Sequence, residues 1–233
     1  MKSRIIFITV LIVAPFISAG PRVTGNGGDV IRCFGHERLF SLDYVMTQGS
    51  FGKKVNVVPF TKIQSSTARI SNLLKNKWPE LSVSFDEFMF DFQNQSVTSK
   101  KYNWFKTVDG LDDIFDEKFA QAPIPTSCRG GSMNGTIAVS QAIVRTVSQT
   151  GVINFEYDPE IITHLSKLQL SFLLVHEWLW NFSDSVTDNR KINYFLHSNL
   201  FEQVTEAQAK TMLTQFGLIL PRRSLEQKRE SNR

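Results

Sequence analysis

Cysteine is scarce in this 233-residue chain: there are two, Cys33 and Cys128, and they form no C-x-x-C pair. That spacing gives no reason to expect a dithiol redox site. Also missing are a G-x-S-x-G elbow, a Walker loop and an EF-hand loop. Gly130-Gly131-Ser132 reads as a turn rather than a nucleophile loop, and His36 and His164 stand alone. Internal repeats and long low-complexity segments are lacking too. A basic face is lacking despite a pI near 9.1. Formal charge is +4, but Lys2 and Arg4 lie at one end. At the other end Arg222, Arg223, Lys228, Arg229 and Arg233 outnumber Glu226 and Glu230. The body between is close to neutral, so nucleic acid is not an expected partner.

Long apolar runs are confined to the N-terminus. Lys2 and Arg4 precede the apolar stretch Ile5–Ile17, and Ser18, Ala19 and Gly20 supply small residues behind it. This is the pattern of a secretory signal peptide over residues 1–19, cut after Ala19 because Pro21 disfavours a cut after Gly20. The run falls short of the ~20 residues that cross a bilayer as a helix, so no membrane span is expected in the mature chain. Export to the periplasm or medium follows as the expected location. An oxidising compartment permits a Cys33–Cys128 disulfide, which would close a loop worth ~4–5 kcal/mol in the chain-entropy model.

What remains looks globular: 42% hydrophobic and 21% charged residues suit a packed core. Residues 20–221 are expected to form one α+β domain, and residues 222–233 a disordered basic tail. Gly25-Asn26-Gly27-Gly28 reads as turn chemistry leading into a strand at Val30–Cys33. A helix is predicted over Arg69–Lys77, ended by Pro79, and a strand over Lys101–Val108. Val83–Phe92 fits either element: Phe85, Phe88 and Phe92 have helical spacing, while Phe88, Phe90 and Phe92 alternate. Ile137–Val147 and Val152–Tyr157 form the expected β-hairpin. Three helices close the chain. Ser166–Gln169 opens one to about Phe182, Ser185–Asp188 one to about Asn199, and Thr205–Gln208 one that Gly217 ends. Asp184 and Asp188 suit helix starts better than metal ligation.

The first of those helices holds the one chemical motif, Leu174-Val175-His176-Glu177-Trp178-Leu179-Trp180. It is apolar almost all round and so expected to be buried. A buried His-Glu pair is costly without partners. The H-E-x-x-H zinc motif sets two imidazoles one turn apart, with the Glu activating bound water. Here Trp180 stands where the second imidazole belongs. A zinc site would then draw on His176 and His197, with Glu177 as catalytic base. Antiparallel packing across the Ser183–Ser185 turn sets His197 about 6 Å beyond the level of His176. The same packing sets Arg190 and Asn193 opposite the pair. The first reading is therefore a buried polar cluster of His176, Glu177, Arg190 and Asn193, with Glu177 on Arg190 and His176 on Asn193 or a backbone group. No cofactor is expected on that reading, and zinc on the other.

Taken in order, Gly25–Asp29 with Cys33, Pro125-Thr126-Ser127-Cys128, the His176-Glu177 helix and Asp184 through Arg190 and Asn193 to Phe195-Leu196-His197-Ser198 form a pattern. It resembles that of a family of uncharacterised exported bacterial proteins. The resemblance implies a periplasmic or secreted location and a pairing of the two cysteines. It carries no activity. The expectation is a non-catalytic binding or structural protein of the cell envelope, partnered by an envelope protein or a peptide. The alternative is a zincin-like metal-dependent hydrolase acting on peptides.

Overall fold

A computed structural model describes residues 22–23, 28–33, 38–47, 51, 55–59, 63–107, 111 and 137–220. The signal segment 1–19, Gly25–Gly27, His36, Cys128, the 130–132 turn and the 222–233 tail lie outside the described residues. The described chain is an α+β domain. One sheet contains β1 (Arg22–Val23), β6 (Ile143–Val147), β7 (Ile153–Tyr157) and β4 (Tyr102–Lys106), in that spatial order. A second contains β3 (Leu39–Ser41), β2 (Asp29–Cys33) and β5 (Ile137–Gln141). All pairings are antiparallel except β4 with β7.

The expected hairpin forms between β6 and β7, around Gly151 at φ +82°. Its first arm is not one strand, however. Ala142 breaks Ile137–Val147 into β5 and β6, and each half joins a different sheet. The break is held by the Gly28 carbonyl, which accepts from the amides of Ala142 (2.9 Å) and Ile143 (3.3 Å). Ala142 is fully buried, so the bend joins the two sheets inside the core.

The ambiguous phenylalanine stretch is helical: α2 (Ile63–Lys77) and α3 (Pro79–Gln93) form an antiparallel pair around Trp78. Pro79 ends the first helix and sits at the first turn of the second, where its missing N–H costs nothing. Leu81, Phe85, Phe88 and Phe92 then share the buried face, while Phe90 is turned out to solvent. Helical spacing wins because those four rows match the apolar face of the four-stranded sheet. There Tyr102 and Trp104 alternate inward on β4, and Trp104 stacks on its register partner Phe155 at 4.3 Å. Phe88 meets Tyr102, Trp104 and Phe155 edge-on.

The C-terminal half is helical: α4 (Pro159–His164), α5 (Lys167–Leu179), α6 (Val186–His197), α7 (Asn199–Gln203) and α8 (Glu206–Gln215). Ser166, Ser185 and Thr205 cap α5, α6 and α8 through their side-chain oxygens. At Thr205 the reciprocal box with Gln208 is complete. At Ser166 it is not: the Gln169 side chain instead accepts from the Ser41 amide (2.7 Å), tying α5 to the end of β3. Gly217, at φ +93°, follows α8 where a β-carbon would strike Asp188 at 2.6 Å. Helix α5 is buried from Gln169 to Leu179 and packs against α2, α6, β3 and the short α1 (Leu42–Thr47). No helix among the described residues is long and apolar enough to cross a membrane.

Candidate functional site

Asp43, in the first turn of α1, is the hub of the polar cluster. Its carboxylate is buried and accepts three hydrogen bonds from two helices. His176 Nδ1 lies 2.7 Å from Oδ2, Asn193 Nδ2 donates to the same oxygen at 2.7 Å, and Arg190 Nε donates to Oδ1 at 3.2 Å. Asn193 also donates to the Phe172 carbonyl at 2.8 Å, which fastens α6 to α5 independently of the charge. Burial by itself would raise the Asp43 carboxyl. The His176 and Arg190 charges and the Asn193 amide outweigh it and hold the group below its usual value.

The structure therefore brings His176, Arg190 and Asn193 together, but around a residue outside the expected set. Arg190 is paired with Asp43 and not with Glu177, and Asn193 reaches His176 only through their shared oxygen. Asp43 is not marked in the sequence, because it stands in a six-residue helix with no amphipathic repeat. The available signal was an acidic residue between Leu42 and Val45, two apolar residues at helical spacing.

His176 is engaged at both ring nitrogens. With Nδ1–H turned to Asp43, Nε2 accepts the indole N–H of Trp180 at 3.1 Å. Trp180 is thus more than a missing ligand: one turn along the helix, it covers the lone pair that would bind a metal or take a proton. Burial works against a charged ring, and so does the Trp180 N–H on Nε2, whereas Asp43, Glu177 and Asp29 favour one and push the His176 pKa up. A proton on Nε2 and the Trp180 N–H cannot share one line, so charging the ring costs the indole bond.

Glu177 points the other way, toward β2 and β6. It is fully buried, and neither carboxylate oxygen makes a well-formed hydrogen bond among the described residues. Burial raises its pKa to about 7 against the pull of His176, Arg145 and the Gly28 backbone. Asp29, on β2, is raised to about 7 by the same cause, opposed by His176 and Arg190 and reinforced by Glu177. Arg145 donates to Asn181 at 3.2 Å and faces Glu177 electrostatically. Asp29 directly follows the glycine-rich turn, and nothing in that local pattern marks its carboxyl as buried.

Gly28 explains part of that opening. A β-carbon there would lie 2.4 Å from Leu173 Cδ1 and 3.1 Å from Glu177 Oε1, so the requirement is close approach of strand to helix. Leu173 is itself buried and cannot swing aside freely. Gly28→Ala is expected to cost about 1–3 kcal/mol through overpacking, measured by urea denaturation. A loss below ~0.5 kcal/mol would mean that α5 shifts without penalty.

His197 occupies a separate pocket of polar contacts. Its Nδ1–H donates to the Asn193 carbonyl (2.9 Å), Nε2 accepts from Ser171 Oγ (2.8 Å), and Ser171 accepts in turn from Ser66 (2.8 Å). The ring stacks on Phe172 at 3.8 Å. Burial pushes its pKa down to about 3, the Asn193 carbonyl opposing. Ser171 precedes His176 by more than a helical turn, so the axial offset expected between the two imidazoles is present. With all four ring nitrogens engaged, a zinc held by both would have to break hydrogen bonds at each.

No family model matches this chain, and neither a curated protein nor a solved structure matches it.

Proposed function

We propose that this chain is an exported, non-catalytic binding protein of the bacterial envelope, in which the Asp43 cluster fastens α1, α5 and α6 and positions Arg190. The observation that carries the reading is Trp180 Nε1–H on His176 Nε2 at 3.1 Å. An Asp–His pair becomes catalytic when the distal nitrogen faces a nucleophile, a metal or a substrate proton. Here that nitrogen faces an indole, which is none of these. Glu177, the base of the zincin-like alternative, is fully buried and adjoins the Gly28 backbone. The signal-peptide pattern of residues 1–19 supports export.

The test is one preparation read three ways. The protein is recovered from periplasm and medium, its N-terminus sequenced, its zinc measured by elemental analysis, and its peptidase activity assayed beside His176→Ala. The expected result is an N-terminus at Gly20, no stoichiometric zinc and no hydrolysis. Zinc at one per chain that disappears in His176→Ala would establish the hydrolase in its place.

A further inference from the structure

We propose that the cleft beside Arg190 binds a small monocarboxylate with a hydrophobic body. The inference names the ligand of the binding protein proposed above and rests on that reading. The cleft has a volume of about 450 Å³, within the range of small-molecule sites. Its apolar wall is Met46, at the end of α1, with Phe51 and Phe216. Phe51 stacks on Tyr194 at 5.2 Å and meets Phe216 edge-on at 5.3 Å, so the rings of the wall hold one another. The opposite wall is one face of α6, where Thr187, Arg190 and Lys191 stand at i, i+3 and i+4.

Arg190 is what makes this cleft a site rather than a dent. Its Nε–H points inward to Asp43, which His176 and Asn193 hold from behind. Among the described residues Asp43 alone takes a hydrogen bond from it. A guanidinium is a rigid planar fork, so anchoring Nε fixes the plane in which the two Nη groups are offered. A carboxylate matches that fork with two parallel hydrogen bonds. Lys191 adds a second cation at the rim. It shares Asp188 at 3.5 Å, and the Asp188 side chain leans against Gly217. One firm cation, a half-neutralised second and an aromatic wall suit a singly charged group on an apolar body. A hydrated polyanion would forfeit the wall. The buried cluster acquires a purpose on this account: it is the prop that keeps a partly desolvated arginine aimed at the cleft.

The probe is octanoate, titrated calorimetrically into the protein as recovered after export, with 1-octanol as the uncharged match. Expected are saturable binding at one per chain and octanol weaker by about tenfold or more. Arg190→Lys, which keeps a cation for Asp43 but loses the fork, should weaken octanoate by about tenfold. Because that variant also touches the buried cluster, Thr187→Trp provides an independent check. Thr187 is exposed, and an indole there fills the cleft without entering the core, so binding is lost at unchanged melting temperature. No saturable octanoate binding at millimolar concentration overturns the inference, as does octanol binding equally well or Thr187→Trp binding like wild type. Each of those failures leaves the zinc and peptidase measurements to judge the non-catalytic reading separately.

Discussion

Asp43→Ala is expected to be the most damaging single substitution in the polar cluster, lowering stability by about 3–5 kcal/mol. The carboxylate is buried and accepts from His176, Arg190 and Asn193 together. Deleting it leaves an imidazole N–H and an amide without an acceptor in a closed interior, and a guanidinium without its counter-charge. Each orphaned donor costs ~1–3 kcal/mol, more where it carries charge. For a chain of this size the sum corresponds to a melting temperature lower by roughly 10 °C. Asp43→Asn separates the contributions. It keeps one oxygen for His176 or Asn193 but removes the charge that faces Arg190, so it should fall between wild type and Asp43→Ala. The reference change is Asp188→Ala, at a half-buried position in the first turn of α6, where the 3.5 Å contact to Lys191 is worth at most about 1 kcal/mol. Should Asp43→Ala unfold no more easily than Asp188→Ala, the hub does not hold the helices together.

The reasons for legibility differ from element to element. Helices α5, α6 and α8 are readable because each begins at a side-chain cap, Ser166, Ser185 and Thr205, and because Gly217 follows the end of α8. Those signals are local, and no tertiary context overrides them. The split at Ala142 was not readable. It comes from the Gly28 carbonyl, over a hundred residues earlier in the chain, capturing two amides in a run of β-branched residues that looks like a single strand. The phenylalanine stretch of α3 needed the opposing sheet to choose a periodicity, since Phe85, Phe88, Phe90 and Phe92 contain both. In the site, spacing along α5 and α6 correctly brought Arg190 and Asn193 near His176. It could not supply Asp43, whose position depends on where β3 delivers the chain. Missing that carboxylate misassigned the partner of Arg190 and left Glu177 with one it does not have.

That corrected pairing reverses the expectation for Glu177. Were it salt-bridged to Arg190, neutralising it would destabilise the fold. Buried with no well-formed hydrogen bond among the described residues, and with its pKa raised to about 7 by desolvation, it should instead be a liability whenever ionised. The sign follows from proton counting. Between the ordinary glutamate value of 4.5 and about 7, the folded state holds a proton that the unfolded state has lost. Stability contributed by this group is therefore fully present below pH 4.5 and is lost as pH rises toward 7. Above pH 7 the folded protein carries the cost, at most about 3 kcal/mol for a shift of this size. Glu177→Gln removes the titration while preserving shape. It should leave stability at pH 4.5 nearly unchanged and raise it at pH 8. The gain is less than the full bound, about 1–2 kcal/mol, because His176 and Arg145 lose a neighbouring anion. Asp29 and His176 are also raised and His197 is lowered, so the wild-type pH profile mixes several slopes. The difference between variant and wild type cancels most of them. Urea denaturation of both proteins at pH 4.5 and 8 measures it directly. A variant less stable than wild type at pH 8 would mean that the Glu177 carboxylate has a strong partner after all, and the buried pair would then be a true bridge.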